Sequence, residues 1–444
     1  MKPPQPRKFK PRPRPTIKKR KSAPYGAELG ISLQNRFEHT HIIGGTGHGK
    51  TQLIQYLIAR DLEEDCCVVV IDNQRQMIPK LAAFGVDMAY ISPHFPLALN
   101  LFDFPRGHTT IPLLQYVLSA LMEAPLTPKQ ELIFQFGVAL VLALNGNIMT
   151  FLRVLEDERF DLSGVDDTTR LFFEKNFYER QYQQTKQEIS WRIWSLLKNP
   201  ILRDMFTADV NKVKLEQELN RKLVLIDTDV NLLQSYSGLF GRFFLAQLLQ
   251  AAQNRFAGAQ RPVYVYIDEC YFYLDRSIVS MLETARKAKM GLILANQYLG
   301  QITEPRVREA IMSLTATKYA GGLSPSDSRA MAEAMRTKND FIDNQRKLNF
   351  LLYMRGRPNP RQDLFDELKY ETGLNAWGKQ ILHDASNAHN VSIRVPVGIV
   401  EKMPKHDVPI DTMIERYGRE NPKATPAPLS ETGDQDNVDE KGEW

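Results

Sequence analysis

The chain has 444 residues, and 43% of them are hydrophobic, which is enough to bury a large core and to form more than one structural module. Its three cysteines, Cys66, Cys67 and Cys270, form no CxxC pair and no metal-ligand spacing, which argues against a zinc site or a disulfide framework. No signal peptide is recognisable, and the longest apolar run, residues 137–144, is far shorter than the ~20 residues that span a bilayer. We therefore expect a cytoplasmic protein without a transmembrane segment, either soluble or associated with a membrane only through a partner.

The net charge of +5 is unevenly distributed along the chain. Residues 1–24 contain lysine, arginine and proline but no acidic residue, which predicts a disordered basic arm. Such an arm binds nucleic acid or an anionic membrane surface by counterion release, or it acts only as a solubilising tail. The sequence leaves these readings open. At the other end, residues 411–444 are predicted to form an acidic, disordered tail.

A phosphate-binding loop is predicted in the stretch IIGGTGHGKT, residues 42–51, which fits the pattern GxxxxGK[ST]. An apolar strand precedes the loop and an amphipathic helix follows it, so the helix N-terminus would face the phosphates. In this pattern backbone N–H groups cradle the phosphates, Lys50 reaches the β- and γ-phosphates, and Thr51 holds Mg²⁺. The predicted nucleotide-binding residues are Gly44, Gly45, Thr46, Gly47, His48, Gly49, Lys50 and Thr51. We expect ATP rather than GTP, because no NKxD base-reading motif is present.

Two strands follow the first helix, at residues 66–72 and 88–91, and they complete the first part of a P-loop core over residues 25–104. Residues 105–220 are helical in pattern throughout and predict an inserted all-α domain. Strands return at residues 222–227, 263–269, 291–297, 317–320 and 389–400, with helices between them, in a second core part over residues 221–410. This alternation predicts an α/β fold with a doubly wound, mainly parallel sheet that binds ligands at the carboxyl ends of its strands.

The stretch VYVYIDE places two adjacent acids, Asp268 and Glu269, at the end of an apolar strand. We expect Asp268 to hold Mg²⁺ through water, and Glu269 to orient and deprotonate the attacking water. Gln297 ends the next strand, where an amide can contact the γ-phosphate or its water. Asp72 and Asp227 also end strands, and we interpret them as structural.

Arg286 lies on the helix that precedes the Gln297 strand. In a ring of subunits such a residue can reach the nucleotide of a neighbour and serve as an arginine finger. Cations also favour helix carboxyl ends through the helix dipole alone. The residues by themselves leave both readings open.

Seven segments in this order resemble the type IV coupling proteins of bacterial conjugation, TraG/TraD-like members of the HerA/FtsK P-loop superfamily. The segments are GGTGHGKT, VVVID, NLFDF, the helical insert, YVYIDE, ARKAKMGLILANQYLGQI and TKYAGGLSPSDSRAMAEAM. The resemblance covers roughly residues 36–340. The part from ARKAK to ANQ is the most specific, since a bare pair of nucleotide-binding motifs occurs in many families.

The resemblance implies a RecA-like ATPase core in a homohexamer that uses ATP and Mg²⁺ to move DNA through a central channel. It also implies relaxase and secretion-channel partners, an arginine finger acting in trans at Arg286, and a sensor glutamine at Gln297. Two features depart from the family: most members begin with transmembrane helices, which this sequence does not show, and residues 72–75 read DNQR where the family usually has DPKG.

Two other functions fit the same residues. A phage or mobile-element DNA packaging or segregation translocase of the HerA/FtsK type needs no transmembrane helix. An ATP-gated adaptor would recruit a relaxase–DNA complex without processive movement, but the presence of Glu269 argues for hydrolysis. The sequence does not distinguish single-stranded from double-stranded DNA.

Overall fold

A nine-stranded sheet lies at the centre of the described part of the chain. The computed structural model describes residues 36–95, 97–122, 126–254, 261–275, 278–355, 390–394 and 407–417. The strands are β1 Thr40–Gly44, β2 Cys67–Asp72, β3 Met88–Ile91, β4 Leu223–Asp227, β5 Val263–Ile267, β6 Met290–Asn296, β7 Thr317–Gly321, β8 Asn349–Met354 and β9 Asn390–Arg394.

The strand order is β3-β4-β2-β5-β6-β1-β7-β8-β9. All pairs from β3 to β7 are parallel, whereas β8 and β9 are antiparallel to their neighbours. The apolar runs of β2 and β5 are buried along their whole length, as expected for parallel strands covered on both faces. Because β6 lies between β5 and β1, the carboxyl ends of these three strands meet at one edge of the sheet.

Helices cover the sheet, and the chain segment that connects β3 to β4 forms a further helical layer. The helices of the first core part are α1 Lys50–Asp61 and α2 Ile78–Ala82. Those between β3 and β4 are α3 Thr110–Ser119, α4 Pro128–Ala143, α5 Ile148–Leu155, α6 Asp167–Lys175, α7 Arg180–Lys198, α8 Pro200–Phe206 and α9 Leu215–Glu218. Those that follow β4 are α10 Val230–Leu233, α11 Ser237–Asn254, α12 Ile278–Lys287, α13 Pro305–Leu314, α14 Pro325–Ala334, α15 Asn339–Asp343 and α16 Ile410–Tyr417.

The helical layer between β3 and β4 has strong local signals of its own. Thr127 and Gln130 form a capping box at the start of α4, and Asn147 forms another at the start of α5. Phe151 of α5 stacks on Phe134 of α4 with ring centroids 5.9 Å apart, inside a buried core. The predicted inserted helical domain is therefore present, and its boundaries at residues 105 and 220 remain predictions.

Three elements differ from the expectation. The amphipathic pattern of residues 232–256 predicts one long helix after β4, but α10 and α11 are separate, because Gln234 between them has a positive φ of 51°. Strand β8 is not predicted, since a six-residue apolar run such as NFLLYM also fits a buried helix segment. The predicted last strand at residues 389–400 is described only as β9, Asn390–Arg394.

The start of the predicted acidic tail is helical rather than disordered. Residues 411–417 belong to α16, whose Met413 is fully buried and whose approach is fixed by a bond from the Val408 N–H to the Pro79 carbonyl oxygen, 3.0 Å. The apolar stripe of this helix packs on the core, which explains why it forms despite acidic neighbours. The remaining tail, the basic arm of residues 1–24 and residues 25–35 lie outside the described residues. None of the helices in the described ranges has the length and apolar character needed to cross a bilayer.

Candidate nucleotide-binding site

The predicted phosphate loop connects β1 to α1. Gly47 and Gly49 have φ angles of 73° and 115°, in the left-handed region that favours glycine. Left-handed residues within a turn bring successive backbone N–H groups toward a common centre, which is the geometry of an anion-binding nest. Helix α1 begins directly after Gly49, at Lys50, so the positive end of its dipole adds to the same centre.

The turn after β7 supports this loop from behind. The Gly45 N–H donates to the Gly321 carbonyl oxygen, 3.2 Å, and a Cβ on Gly45 would lie 2.0 Å from the Gly322 oxygen. His48 is buried, and its ring is hydrogen-bonded to the Asn349 carbonyl oxygen, 2.7 Å. Gly45 therefore allows the loop to pack closely against the turn after β7, and the His48 side chain anchors the loop to β8.

Lys50 lies between the two acids that follow β5. Its Nζ forms an ion pair with Asp268 and lies 3.0 Å from Glu269 Oε1, and all three side chains are buried. Burial opposes the lysine charge, but the two carboxylates outweigh it and raise the Lys50 pKa above its usual value. One cation facing two carboxylates leaves an excess negative charge, which suits a divalent metal ion.

Glu269 has an unusual backbone. Its φ and ψ angles are 47° and 50°, a left-handed conformation that costs energy for a residue with a Cβ. Its N–H donates to Asp268 Oδ1, 3.0 Å, which holds the two acids in a fixed relation. Strained residues of this kind concentrate at functional sites, where the surrounding contacts maintain them.

Gln297 joins the phosphate loop to Glu269. Its Nε2 donates to Glu269 Oε1 at 2.8 Å, and its Oε1 accepts a hydrogen bond from the Thr46 hydroxyl at 2.8 Å. Gln301, which the sequence analysis did not single out, also donates to Glu269, with Nε2 3.4 Å from Oε2. The Gln301 Oε1 accepts a hydrogen bond from the Gln297 backbone N–H at 2.7 Å, so the two glutamines are linked and both hold the Glu269 carboxylate.

Asp72 ends β2, which is next to β5, and Asp227 ends β4, on the far side of β2; both have other partners. Asp72 accepts backbone N–H bonds from Gln74, Arg75 and Met77, which fixes the turn after β2. Burial raises the Asp72 pKa to about 6, despite these bonds. Asp227 accepts hydroxyl bonds from Tyr90 and Ser92. These contacts agree with the structural interpretation of both aspartates.

The residues expected to hold Mg²⁺ suit a metal bound together with a nucleotide. Thr51 directly follows Lys50 at the start of α1 and is half-buried, and Asp268 contacts Lys50. Within the residues that the structure describes, no group of three or more His, Cys, Asp or Glu side chains is arranged to bind a metal alone. Mg²⁺ characteristically takes one or two protein oxygens, with water and substrate phosphates as the remaining ligands. A hydroxyl and a carboxylate meet this requirement.

Arg286 does not approach the loop of its own chain. Its guanidinium donates to Glu38 Oε1, 2.5 Å, just before β1, at the amino-terminal edge of the sheet. The side chain is 53% exposed and lines a cavity of about 390 Å³ with Phe37, Glu283 and Lys287. The sequence-predicted site residues are thus brought together at one edge of the sheet, except Arg286, which lies at the opposite edge.

Comparison with solved structures identifies the fold. No family model and no curated protein matches the chain. The plasmid coupling protein TrwB in complex with ADP and Mg²⁺ aligns with a TM-score of 0.57 over 76% of this chain and 88% of that chain, at 16% identity. VirB4 of Thermoanaerobacter pseudethanolicus aligns with a TM-score of 0.54 over 74% and 91%, at 14% identity.

An unbound form of TrwB aligns with a TM-score of 0.53, over 73% of this chain and 83% of that chain, at 16% identity. The chain therefore shares the RecA-like P-loop fold of these proteins. The predicted doubly wound, mainly parallel sheet is confirmed. At identities this low, the comparison establishes the fold, and the activity must be argued from the site.

Proposed function

We propose that the chain is a DNA-dependent ATPase motor that acts like a type IV coupling protein. The observation that carries this proposal is the continuous set of contacts from Thr46 through Gln297, Glu269 and Lys50 to Asp268. These contacts bring a phosphate loop, two acids and an amide together at the carboxyl ends of β1, β5 and β6. Loop, acid and amide are the groups that phosphoryl transfer from a nucleoside triphosphate to water requires.

The loop residues 44–51 bind the phosphates of ATP through backbone N–H groups, and Lys50 binds the β- and γ-phosphates. Thr51 and Asp268 hold Mg²⁺, which supplies positive charge to the transferring phosphoryl group when bound. Lys50 contacts Asp268 and Glu269 directly, so phosphate oxygens compete with these carboxylates for the ammonium group. When Lys50 binds phosphate oxygens in place of the two carboxylates, Asp268 becomes available for Mg²⁺ and Glu269 for water.

Glu269 orients the attacking water and accepts its proton on a carboxylate oxygen as the water oxygen bonds to the γ-phosphorus. The bond between the γ-phosphorus and the β–γ bridging oxygen breaks in the same step, and ADP leaves with that oxygen. The hydrogen bonds from Gln297 and Gln301 hold this carboxylate in place, so little reorganisation accompanies the reaction. Because Gln297 also contacts Thr46 of the loop, it is placed to respond to the presence of the γ-phosphate.

We propose a homohexameric ring as the active form. Arg286 is exposed at the edge of the sheet opposite to the loop, so it cannot complete the pocket of its own chain and could act only on the nucleotide of a neighbouring subunit. Stacking subunits in a ring places opposite edges of adjacent cores against each other and creates a central channel for DNA. A relaxase and secretion-channel proteins are the proposed partners, and the cytoplasm is the proposed location. TrwB, whose fold the chain shares, is a conjugative coupling protein, which supports this role.

DNA is expected to stimulate ATP hydrolysis. Turnover is measured with no DNA, with single-stranded DNA and with double-stranded DNA, across a range of salt concentrations. We expect stimulation of at least about tenfold by one form and a decline as salt rises, because phosphate contacts release counterions. A chain lacking residues 1–24 measures the contribution of the basic arm, whose loss should flatten the salt dependence.

Two results would contradict the motor. Hydrolysis that is equal with and without both forms of DNA excludes a DNA-dependent ATPase. If duplex DNA is the form that stimulates hydrolysis, binding of DNA without displacement of the third strand from a DNA triplex favours the ATP-gated adaptor. Displacement of that strand supports a translocase, and packaging and conjugation are then separated by whether a relaxase or a capsid portal protein binds.

A further inference from the structure

The turn that precedes β8 packs directly on the phosphate loop. The Leu348 N–H donates to the His48 carbonyl oxygen, 2.7 Å, and the His48 ring bonds to the Asn349 carbonyl oxygen at 2.7 Å. A Cβ placed on Gly49 would lie 2.5 Å from Leu348 Cδ2, so the leucine side chain rests on the loop glycine. Phe350 meets the His48 ring edge-on, with centroids 5.1 Å apart. Residues 348–350 therefore line the phosphate loop, and with the preceding Arg346 and Lys347 they are called the wall of the predicted ATP site.

The backbone of this wall is strained. Leu348 has φ 68°, a left-handed conformation that is rare for a residue with a bulky side chain. Its bond to His48 and its contact with Gly49 maintain that conformation. Strained backbone conformations cost energy and are concentrated at functional sites, so the strain at Leu348 motivates a functional hypothesis for this turn.

The wall lies on the opposite side of the loop from Glu269. In the sheet, β6 and β5 are on one side of β1, whereas β7 and β8 are on the other. Glu269 and Gln297 lie on the β5–β6 side, where the γ-phosphate would react. A nucleotide whose β-phosphate lies in the loop and whose γ-phosphate faces Glu269 would then extend its α-phosphate and nucleoside toward the β7–β8 side.

Two adjacent cations, Arg346 and Lys347, directly precede the residues of the wall that contact the loop. Both are exposed, and in the described ranges neither forms an ion pair with an acidic side chain. The backbone of Lys347 is joined to Leu348, whose N–H is bonded to the loop. Both cations therefore lie within two residues of Leu348, which contacts the phosphate loop.

We infer that Arg346 and Lys347 bind the α-phosphate and nucleoside end of the nucleotide, so the turn is part of the binding site. This inference rests on the proposed ATP site. A guanidinium group offers several N–H donors to phosphate oxygens and a flat face to a purine ring, and an ammonium group adds a point charge. Both parts of the ligand are shared by ADP and ATP, so the contribution must be the same for the two nucleotides.

The test compares Mg·ADP and Mg·ATP binding by calorimetry for the wild type, Arg346→Ala, Lys347→Ala and the double variant. We expect each single substitution to lower the affinity for Mg·ADP and the affinity for Mg·ATP by the same factor, roughly tenfold, as for the loss of a hydrogen bond to a charged group. At saturating ATP, kcat should stay at the wild-type value. Because both side chains are exposed, folding is not at risk. Arg346→Lys should recover part of the affinity.

Arg306→Ala, which removes an exposed arginine from α13, controls for the change in net charge and should leave both affinities unchanged. Unchanged affinities in the turn variants would overturn the inference and leave the ATP site intact. A loss confined to ATP would also overturn it, since the turn would then face the γ-phosphate. Absence of nucleotide binding by the wild type would instead overturn the proposed function itself.

Discussion

Glu269→Gln is expected to bind Mg·ATP and to hydrolyse it at least ~10²-fold to 10⁴-fold more slowly than the wild type, the range that general-base catalysis contributes. Glutamine has nearly the same size as glutamate, and its side-chain oxygen can still accept the hydrogen bond that Gln297 donates to Glu269. It cannot accept a proton from water. Binding should survive, because the loop and Lys50 hold the phosphates.

The measurement is steady-state phosphate release together with the affinity for Mg·ATP. Glu309→Gln, at an exposed position on α13, is the matched control and should hydrolyse ATP normally. Hydrolysis at the wild-type rate by Glu269→Gln would remove Glu269 from the reaction. Loss of binding together with hydrolysis would show that its ion pair with Lys50 serves to position the lysine rather than the water.

Arg286→Ala is expected to bind ATP normally and to hydrolyse it ~10³-fold to 10⁵-fold more slowly, the range that arginine fingers supply by neutralising charge on the transferring phosphoryl group. The competing explanation is stability. The ion pair with Glu38 involves a side chain that is 53% exposed, so its loss affects folding by at most ~1 kcal/mol. The two explanations therefore differ by orders of magnitude in rate.

Mixing Arg286→Ala with Lys50→Ala subunits should recover some hydrolysis, because one subunit supplies an intact pocket and the other an intact arginine. Lys287→Ala is the matched control, since Lys287 is the adjacent cation at the end of α12 and lines the same cavity. Wild-type hydrolysis by Arg286→Ala alone would assign Arg286 to the helix surface. In that case the finger, if one exists, must come from another residue.

The residues of the candidate site that could be predicted are those carried by local motifs. The loop at residues 44–51 has a fixed spacing, and Asp268, Glu269 and Gln297 each end an apolar strand. Parallel strands bring their carboxyl ends to one edge, so these residues could be placed together before any contact was known. The contact between Gln297 and Glu269, at 2.8 Å, is the kind of proximity that this reasoning implies.

The residues that could not be predicted reach the site across long stretches of chain. Gly322 packs on Gly45, and Leu348 bonds to His48, about 300 residues apart in sequence. No local pattern encodes such contacts, since they follow from the pairing of β7 with β1 and of β8 with β7. The left-handed conformations of Glu269 and Leu348 are equally hidden, because these residue types carry no turn signal.

The most direct test of the ATP site is calorimetric titration of Mg·ATP into the wild type and into Lys50→Ala. Among the ion pairs of the described residues, Lys50 is the only cation that contacts both Asp268 and Glu269. Since its removal leaves two buried carboxylates without a cation, thermal unfolding and the charge-conserving Lys50→Arg variant control for misfolding. We expect wild-type binding, and an affinity at least ~10-fold lower for a folded Lys50→Ala chain. Equal affinities of the two folded proteins for Mg·ATP would contradict the assignment of residues 44–51 as the phosphate-binding loop.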